Sequence, residues 1–228
     1  MPRASRAEAE RHREQVIEAT ARLVRAHGVD KVSVPQAMAA AGLTHGGFYR
    51  HFTSKDDLIA QACSAAFAER VTALDDLAED DAPERPARAV FLATYLSGPH
   101  RDNPALGCPC PALAMDAARA EPGDPLRRAF ADGLRDLVEA MKPLTASDEA
   151  TALVELSTIV GALTLSRACA GDDLSDRILA AVRDHLVGGT AVGGTLVDGT
   201  ADGGTLVDGT ADGGTLVGGT AGGGAETA

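Results

Sequence analysis

Residues 33–59 read SVPQAMAAAGLTHGGFYRHFTSKDDLI, and this stretch decides the fold. Ser33 is a typical helix N-cap, and apolar side chains follow it at helical spacing. Gly42 ends that short helix, and Thr44 is placed to cap a second one that ends near Phe52. Two short helices joined by a glycine turn of about three to four residues indicate a helix-turn-helix, a motif that binds DNA.

Helical patterns continue on both sides of this stretch. A first helix has one apolar face and ends at Gly28, and Ser54 begins a long helix that leads into the rest of the chain. From residue 8 to residue 187 the apolar spacing stays helical, and no convincing strand alternation occurs. We therefore predict an all-α fold. Prolines divide the middle and later parts into further helices near 84–97, 110–121, 124–141, 147–170 and 174–187.

Three regions follow from these patterns. We predict a three-helix DNA-binding domain over 1–55, a larger helical domain for ligand binding and dimerisation over 56–187, and a tail over 188–228. The tail repeats the decapeptide GGTLVDGTAD, rich in Gly and Thr and without aromatic residues. Such a segment buries too little apolar surface to offset its ordering entropy, so we expect disorder. A repeat solenoid is the alternative.

The penultimate helix is apolar on more than one side. A helix with two apolar faces needs a core on one side and a second partner on the other, commonly another subunit. We therefore expect a homodimer formed through the helices near 148–170 and 174–187.

Charge is distributed unevenly along the 228 residues. The net charge is −12, but residues 1–55 carry +4, residues 56–187 carry −11 and the tail carries −5. A basic N-terminal part and an acidic body favour DNA binding by the first part alone.

Several classes of protein and site are not indicated. The chain has no basic start followed by an apolar run and no apolar stretch long enough to span a membrane, so we expect a cytoplasmic protein without membrane contact. The cysteines show no zinc-like spacing, and their number without a secretion signal favours free thiols. We expect neither a metal site nor a cofactor.

The deciding stretch resembles the N-terminal signature of the TetR/AcrR family of transcription regulators. In that family the segment after the glycine turn ends in Tyr, any residue, His and Phe, followed by Ser-Lys and an acidic helix start, as residues 49–58 do here. Gly107-Cys108-Pro109 also resembles a subgroup in which Gly-Cys-Pro opens a ligand-domain helix. The resemblance implies that the last two helices form a four-helix bundle with those of a second subunit.

Candidate DNA contacts follow from the motif. His45 has hydrogen-bonding capacity and reach in the leading turn of the second helix, so it is our first candidate for reading bases, and Gln36 is the second. Gly46 and Gly47 let the backbone approach DNA, unless they only make the loop flexible. The resemblance implies phosphate contacts for Ser33, Thr44, Tyr49, His51 and Lys55.

Other roles remain open for some of these residues. His51 and Tyr49 could instead pack against Phe52 and the first helix. Leu43, Phe48 and Phe52 are assigned to the core.

A ligand cavity is expected among the helices between about residues 58 and 170. Large or reactive side chains available to line it are Phe67, Phe91, Tyr95, Cys108, Cys110, Met115, Phe130 and Met141, although each could equally be core. The sequence does not identify the small molecule. The resemblance implies that ligand binding changes the spacing of the two recognition helices and releases a palindromic operator, which would make the protein a repressor.

Two alternative functions depend on the cysteines, and a third, an interaction scaffold that works through the Gly/Thr tail, leaves the helix-turn-helix unexplained. Cys108 and Cys110 lie at a helix start, where the helix dipole lowers a thiol pKa, so a redox or electrophile sensor of the same fold is the alternative. A bridge from either thiol to Cys63 or Cys169 looks easier than one between the two, and both could be structural. A cysteine-dependent enzyme is a remote possibility, since the spacing pairs no histidine with a cysteine. We predict no catalytic residues.

Overall fold

Helices account for most of residues 6–80, 82–145 and 148–188, which the computed structural model describes. Within these ranges there is no β-strand, only an isolated bridge between Ala82 and Arg85, so the all-α prediction is confirmed. Except for Gly188, the repeat tail predicted to be disordered lies outside the described residues. The α-helices are α1 (Arg6–His27), α2 (Val34–Ala40), α3 (Lys55–Glu79), α4 (Ala87–Tyr95), α5 (Gly98–Asp102), α6 (Pro109–Arg119), α7 (Pro125–Thr145), α8 (Glu149–Ala168) and α9 (Asp173–Gly188).

The caps of α2 lie where the sequence places them. Gly28 follows α1 with a φ of +81°, and Gly42 follows α2 with a φ of +72°, so both turns use backbone that favours glycine. Ser33 and Gln36 form a capping box. Ser33 Oγ accepts the Gln36 N–H at 3.4 Å, and Gln36 Oε1 accepts the Ser33 N–H at 2.8 Å.

The second helix of the helix-turn-helix differs from the expected form. Residues His45–Arg50 form a 3₁₀ helix, and Thr44 stands at its N-cap position without a capping hydrogen bond from its side chain. Two adjacent glycines lower helix propensity by about 1 kcal/mol each relative to Ala, which disfavours a regular α-helix in so short a segment.

Residues 98–106 contain helical structure that the sequence analysis left unassigned. Pro99 and Pro104 each stand in the first turn of a short helix, α5 and a 3₁₀ turn over Pro104–Leu106. Proline lacks an N–H that the first turn does not need, so these prolines begin helices as well as separating them.

Gly133 of α7 allows close packing against α3. A Cβ added at Gly133 would lie 2.4 Å from Cγ of Phe67, which is buried and packs edge-on against Phe130 at a ring distance of 5.3 Å. Contact between α3 and α7 joins the helix that follows the helix-turn-helix to the centre of the larger domain.

We expect Gly133→Ala to lower the free energy of unfolding. Overpacking costs about 1–3 kcal/mol, which outweighs the gain of about 1 kcal/mol in helix propensity. Thermal unfolding of Gly133→Ala, Phe67→Leu and the double variant checks this, because Phe67→Leu should relieve part of the clash. A higher melting temperature for Gly133→Ala alone would contradict it.

Candidate functional site

The leading turn of the second helix presents its polar groups to solvent. Thr44, His45 and Gly46 are exposed, and the Tyr49 side chain is 79% exposed. Gly47 is half-buried, and a Cβ there would lie 3.8 Å from Met38 Cε.

This surface is supported from below by an aromatic core. Phe48 and Phe52 are buried with ring centroids 5.5 Å apart, and Leu43 is half-buried against the same core. Their assignment to the core is therefore confirmed. The Tyr49 ring meets Phe48 edge-on at 5.1 Å, so Tyr49 packs at its base while most of its side chain stays accessible.

The remaining candidate DNA contacts lie around this turn. Ser33 and Gln36 are exposed and bonded to each other in the capping box. Lys55 is half-buried, and its Nζ donates to Val29 O at 3.3 Å, which ties the start of α3 to the turn between α1 and α2. His51 is half-buried.

The electrostatic surroundings of His51 favour its neutral form. Burial lowers the pKa of the His51 imidazole, and the nearby charges of His12, Arg13 and Arg50 lower it further. Arg50, whose position the motif leaves unspecified, is exposed at the end of the 3₁₀ helix and adds a positive charge to this surface.

A cavity of about 470 Å³ lies in the larger domain. Phe91, Tyr95, Cys108 and Met141, all expected from the sequence, line it. Its other lining residues are Arg70, Ala73, Leu74, Leu77, Val90, Thr94, Ser97, Pro99, His100, Asn103, Leu106, Leu137 and Leu156.

Four expected lining residues lie elsewhere. Phe67 and Phe130 pack on each other, and Phe67 borders a more open groove of about 600 Å³ between α3 and α7. Cys110 is buried as the second residue of α6, and Met115 is 59% exposed because it lies off the buried face of that helix. Helical periodicity shows which residues share one face of a helix. It does not show which neighbouring helix that face contacts.

His100 connects two parts of the cavity wall. Its Nδ1–H donates to Tyr95 O at 2.8 Å, and its Nε2 accepts the backbone N–H of Cys108 at 3.0 Å. Burial lowers the pKa of this imidazole, in keeping with a neutral ring that accepts at Nε2. A Cβ at Gly107 would lie 2.8 Å from Nε2, so glycine is required for this approach. Because Nε2 is bonded to backbone rather than to a thiol, this pair does not have the arrangement of a cysteine nucleophile and its base.

The two thiols at the start of α6 are buried and hydrogen-bonded to each other. Burial raises the pKa of Cys108, but the hydrogen bond with Cys110 and the Tyr95 hydroxyl beside the sulfur outweigh burial and lower the pKa to about 7. The hydrogen bond to Cys108 and burial raise the pKa of Cys110. Burial also raises the pKa of Cys63 to about 12. Of these three buried thiols, Cys108 is the one whose pKa is lowered.

Arg25 joins α1 to the cavity wall. Its buried guanidinium donates from Nε to Ala21 O at 3.1 Å and from Nη1 to Gly107 O at 3.1 Å, and its Nη2 lies 3.0 Å from Glu69 Oε2. One side chain thus links α1, α3 and the residue before Cys108.

A second hydrogen bond joins the end of α1 to α6. Asp116 of α6 accepts the Val29 N–H at 3.2 Å, just after the end of α1. Both links connect the DNA-binding part of the chain to the segment that holds Cys108.

The outer face of α8 is apolar and exposed. Leu153, Val154 and Leu165 lie on it, whereas Leu156 and Ile159 are buried on the opposite face. The prediction of two apolar faces is therefore confirmed for this helix. By length and composition α8 could cross a membrane, but a core helix of a soluble protein passes the same test. Within the described ranges, no cluster of His, Cys, Asp and Glu could hold a metal ion.

Comparison with known proteins agrees with this architecture. Residues 16–62 match the family model of the bacterial regulatory proteins of the tetR family. No curated protein matches the chain significantly.

Solved structures with a similar fold cover most of the chain. A TetR-family regulator from Agrobacterium tumefaciens has 16% identity and a TM-score of 0.64, covering 79% of this chain and 97% of its own. NemR of E. coli in its reduced form has 17% identity and a TM-score of 0.62, covering 76% and 96%. FadR of Bacillus subtilis, in complex with stearoyl-CoA, has 15% identity and a TM-score of 0.58, covering 77% and 98%.

At these identities the solved structures establish the fold, and the matched segment contains the helix-turn-helix described above. Over residues 16–62 this chain therefore matches the tetR family of bacterial regulatory proteins, and its fold is similar to that of solved TetR-family regulators.

Proposed function

We propose that this chain is a ligand-responsive repressor that binds a palindromic operator as a homodimer and is released when a small molecule enters the cavity. The observation that carries the proposal is the contact of Arg25 with Gly107 O, because it bonds the first helix of the DNA-binding part to the cavity wall. A cavity and a DNA-binding surface joined by direct contacts are what a coupled response requires.

At the DNA, His45 reads a base edge and the neighbouring groups hold the backbone. Its exposed position in the leading turn suits entry into the major groove. Ser33, Thr44, Tyr49, His51 and Lys55 contact phosphates, Gln36 is the second base reader, and Gly46 and Gly47 permit close approach. Two copies joined through α8 and α9 place two such surfaces on successive major grooves.

Ligand binding acts through the segment around Gly107 and Cys108. A molecule against Cys108 displaces that segment, and the Arg25 contact transmits the displacement to α1. The two recognition elements then no longer match half-sites one DNA turn apart. The complex of B. subtilis FadR with stearoyl-CoA is an example of this fold holding a ligand.

A DNA-binding experiment tests the proposed roles. An operator is first selected from genomic fragments, and His45→Ala should then weaken binding to it by about 1–3 kcal/mol while leaving random DNA unaffected. Lys55→Ala should weaken both and reduce the salt slope by about 1, since it removes a phosphate contact. Fluorescence anisotropy over a salt series measures both effects.

Lys31→Ala, which removes an exposed positive charge outside the proposed contact set, is the control for Lys55→Ala. Equal loss on operator and random DNA for His45→Ala would contradict its role as a base reader. Failure to select any DNA would contradict the proposed function as a whole.

A second candidate function is thiol sensing by the same fold. It is favoured by Cys108, which lines the cavity with a pKa of about 7. A Cys108 thiolate attacking hydrogen peroxide would form an S–O bond as the O–O bond breaks, giving a sulfenic acid and a hydroxide ion that takes up a proton from solvent. Cys110 is adjacent, although the prolines on either side of it restrict the turn that a disulfide with Cys108 needs.

We expect peroxide to release the operator from the wild type and not from Cys108→Ser if this second function operates. Cys169→Ser is the control, because Cys169 is half-buried outside the cavity. Equal release from wild type and Cys108→Ser, or none from either, would leave the thiols structural. A mobility-shift assay with and without peroxide measures operator release.

A further inference from the structure

Two buried hydrogen-bond donors in the cavity have no acceptor. Tyr95 Oη is buried, faces the Cys108 thiol and makes no hydrogen bond of ordinary geometry. Arg70 Nε is also buried without a partner, although Nη2 of the same guanidinium lies 2.7 Å from Glu69 Oε1. A buried donor without an acceptor costs about 1–3 kcal/mol, so such groups call for a ligand or an ordered water.

The two donors belong to the same part of the cavity. The Tyr95 ring packs edge-on against His100 at 4.6 Å. The Arg70 charge is near enough to lower the pKa of both His100 and Cys108. Tyr95 and Arg70 therefore share these two neighbours, and both side chains line the same cavity.

The other lining residues limit which kind of chemical group can bind there. No Asp or Glu occurs among the lining residues, which are mostly aliphatic and aromatic. Both ring nitrogens of His100 are engaged with backbone, and Ser97 Oγ is bonded to Thr94 O at 2.7 Å and to the His100 N–H at 3.3 Å. A cation would meet the Arg70 guanidinium, and a wholly apolar molecule would leave both donors unsatisfied. A carboxylate has two oxygens that can accept from these two donors.

We propose that the cavity binds an organic acid whose carboxylate accepts from Tyr95 Oη and Arg70 Nε and whose apolar body packs against Phe91, Leu74 and Met141. This inference rests on the proposed function, because it names the chemical class of the ligand. Arg70 belongs to α3, the helix that begins directly after the helix-turn-helix, so the carboxylate binds a helix that also supports the DNA-binding surface.

Isothermal titration calorimetry with the full-length protein tests the inference. The probes are ω-phenylhexanoate and ω-phenylhexanol, which share an apolar body and differ in the head group. We expect the acid to bind at least about tenfold more tightly than the alcohol, as charge-assisted hydrogen bonds imply.

Variants assign the effect to the two donors. Tyr95→Phe and Arg70→Met keep most of the side-chain volume, and each should weaken the acid at least about tenfold while changing the alcohol by less than about twofold. Arg135→Met, which removes an exposed guanidinium outside the cavity, is the matched control and should change neither. Alcohol binding also shows that the variant cavities remain folded.

Three results would overturn the inference: equal affinity for acid and alcohol, no binding of the acid at millimolar concentration, or equal weakening of both probes by the variants.

Operator release is measured separately by anisotropy. Selective binding of the acid without release keeps the ligand class and contradicts the inducer role in the proposed function. If the protein does not bind the acid but molecules without a carboxylate release the operator, the ligand class is wrong and the proposed function stands.

Discussion

Leu165→Asp is expected to convert the protein to monomers at micromolar concentration and to lower operator affinity by roughly 100-fold or more. Leu165 is 59% exposed on the outer face of α8, the face that also carries Leu153 and Val154. In a twofold-symmetric dimer the substitution places a carboxylate in the interface twice, and an unpaired charge in apolar surroundings is strongly unfavourable. A monomer contacts only one half-site, so it loses the gain in affinity that bivalent binding gives. That gain is about 10²-fold or more.

Met115→Asp is the matched control, since Met115 is also 59% exposed but lies on α6. It should leave both the sedimentation coefficient and operator affinity unchanged. Analytical ultracentrifugation and mobility shift measure the two quantities. A dimeric Leu165→Asp variant with unchanged affinity would show that the α8 face is not the interface.

Arg25→Met is expected to lower the free energy of unfolding by about 2–4 kcal/mol, because charge-assisted hydrogen bonds are lost and Gly107 O is left without its donor. Glu69 is partly exposed and can be rehydrated, which keeps the loss below that of a fully buried pair. For a domain of this size the loss corresponds to roughly 4–16 °C in melting temperature.

Arg22→Met on the same helix is the control. Arg22 is exposed and its contact with Glu18 is 4.0 Å long, so the change should stay within about 0.5 kcal/mol. Differential scanning calorimetry compares the two variants. If Arg25→Met and Arg22→Met had the same melting temperature, the link between α1 and the cavity wall would contribute little to stability.

Local chemistry explains why the DNA-binding part could be predicted. The Ser33 cap, the turns at Gly28 and Gly42 and the Ser54 cap each depend on residues within a few positions, and all lie where the sequence places them. The 3₁₀ form of His45–Arg50 departs from the expectation because its short length and two glycines weaken the α-helical alternative.

The cavity could be predicted only in part. Its wall comes from α3, α4, α5, α7, α8 and the segment before α6, so its membership depends on how distant helices pack. Arg70 and His100 were not among the expected lining residues, since nothing in their local sequence indicates the unpaired Nε or the backbone contacts that the fold creates. Met115 was misjudged for the same reason: an apolar side chain on a helix does not reveal which face is covered.

The engaged ring nitrogens of His100 have a consequence for acid conditions. Protonation would turn Nε2 from an acceptor into a donor facing the Cys108 N–H, so the contact that holds the start of α6 would become a repulsion. Because burial lowers the pKa of this imidazole, its contribution to stability is complete above the unfolded value of about 6.5 and decreases as the pH falls below it. Mild acid would therefore loosen the wall of the cavity that carries Cys108 and, through Gly107 and Arg25, the attachment of α1.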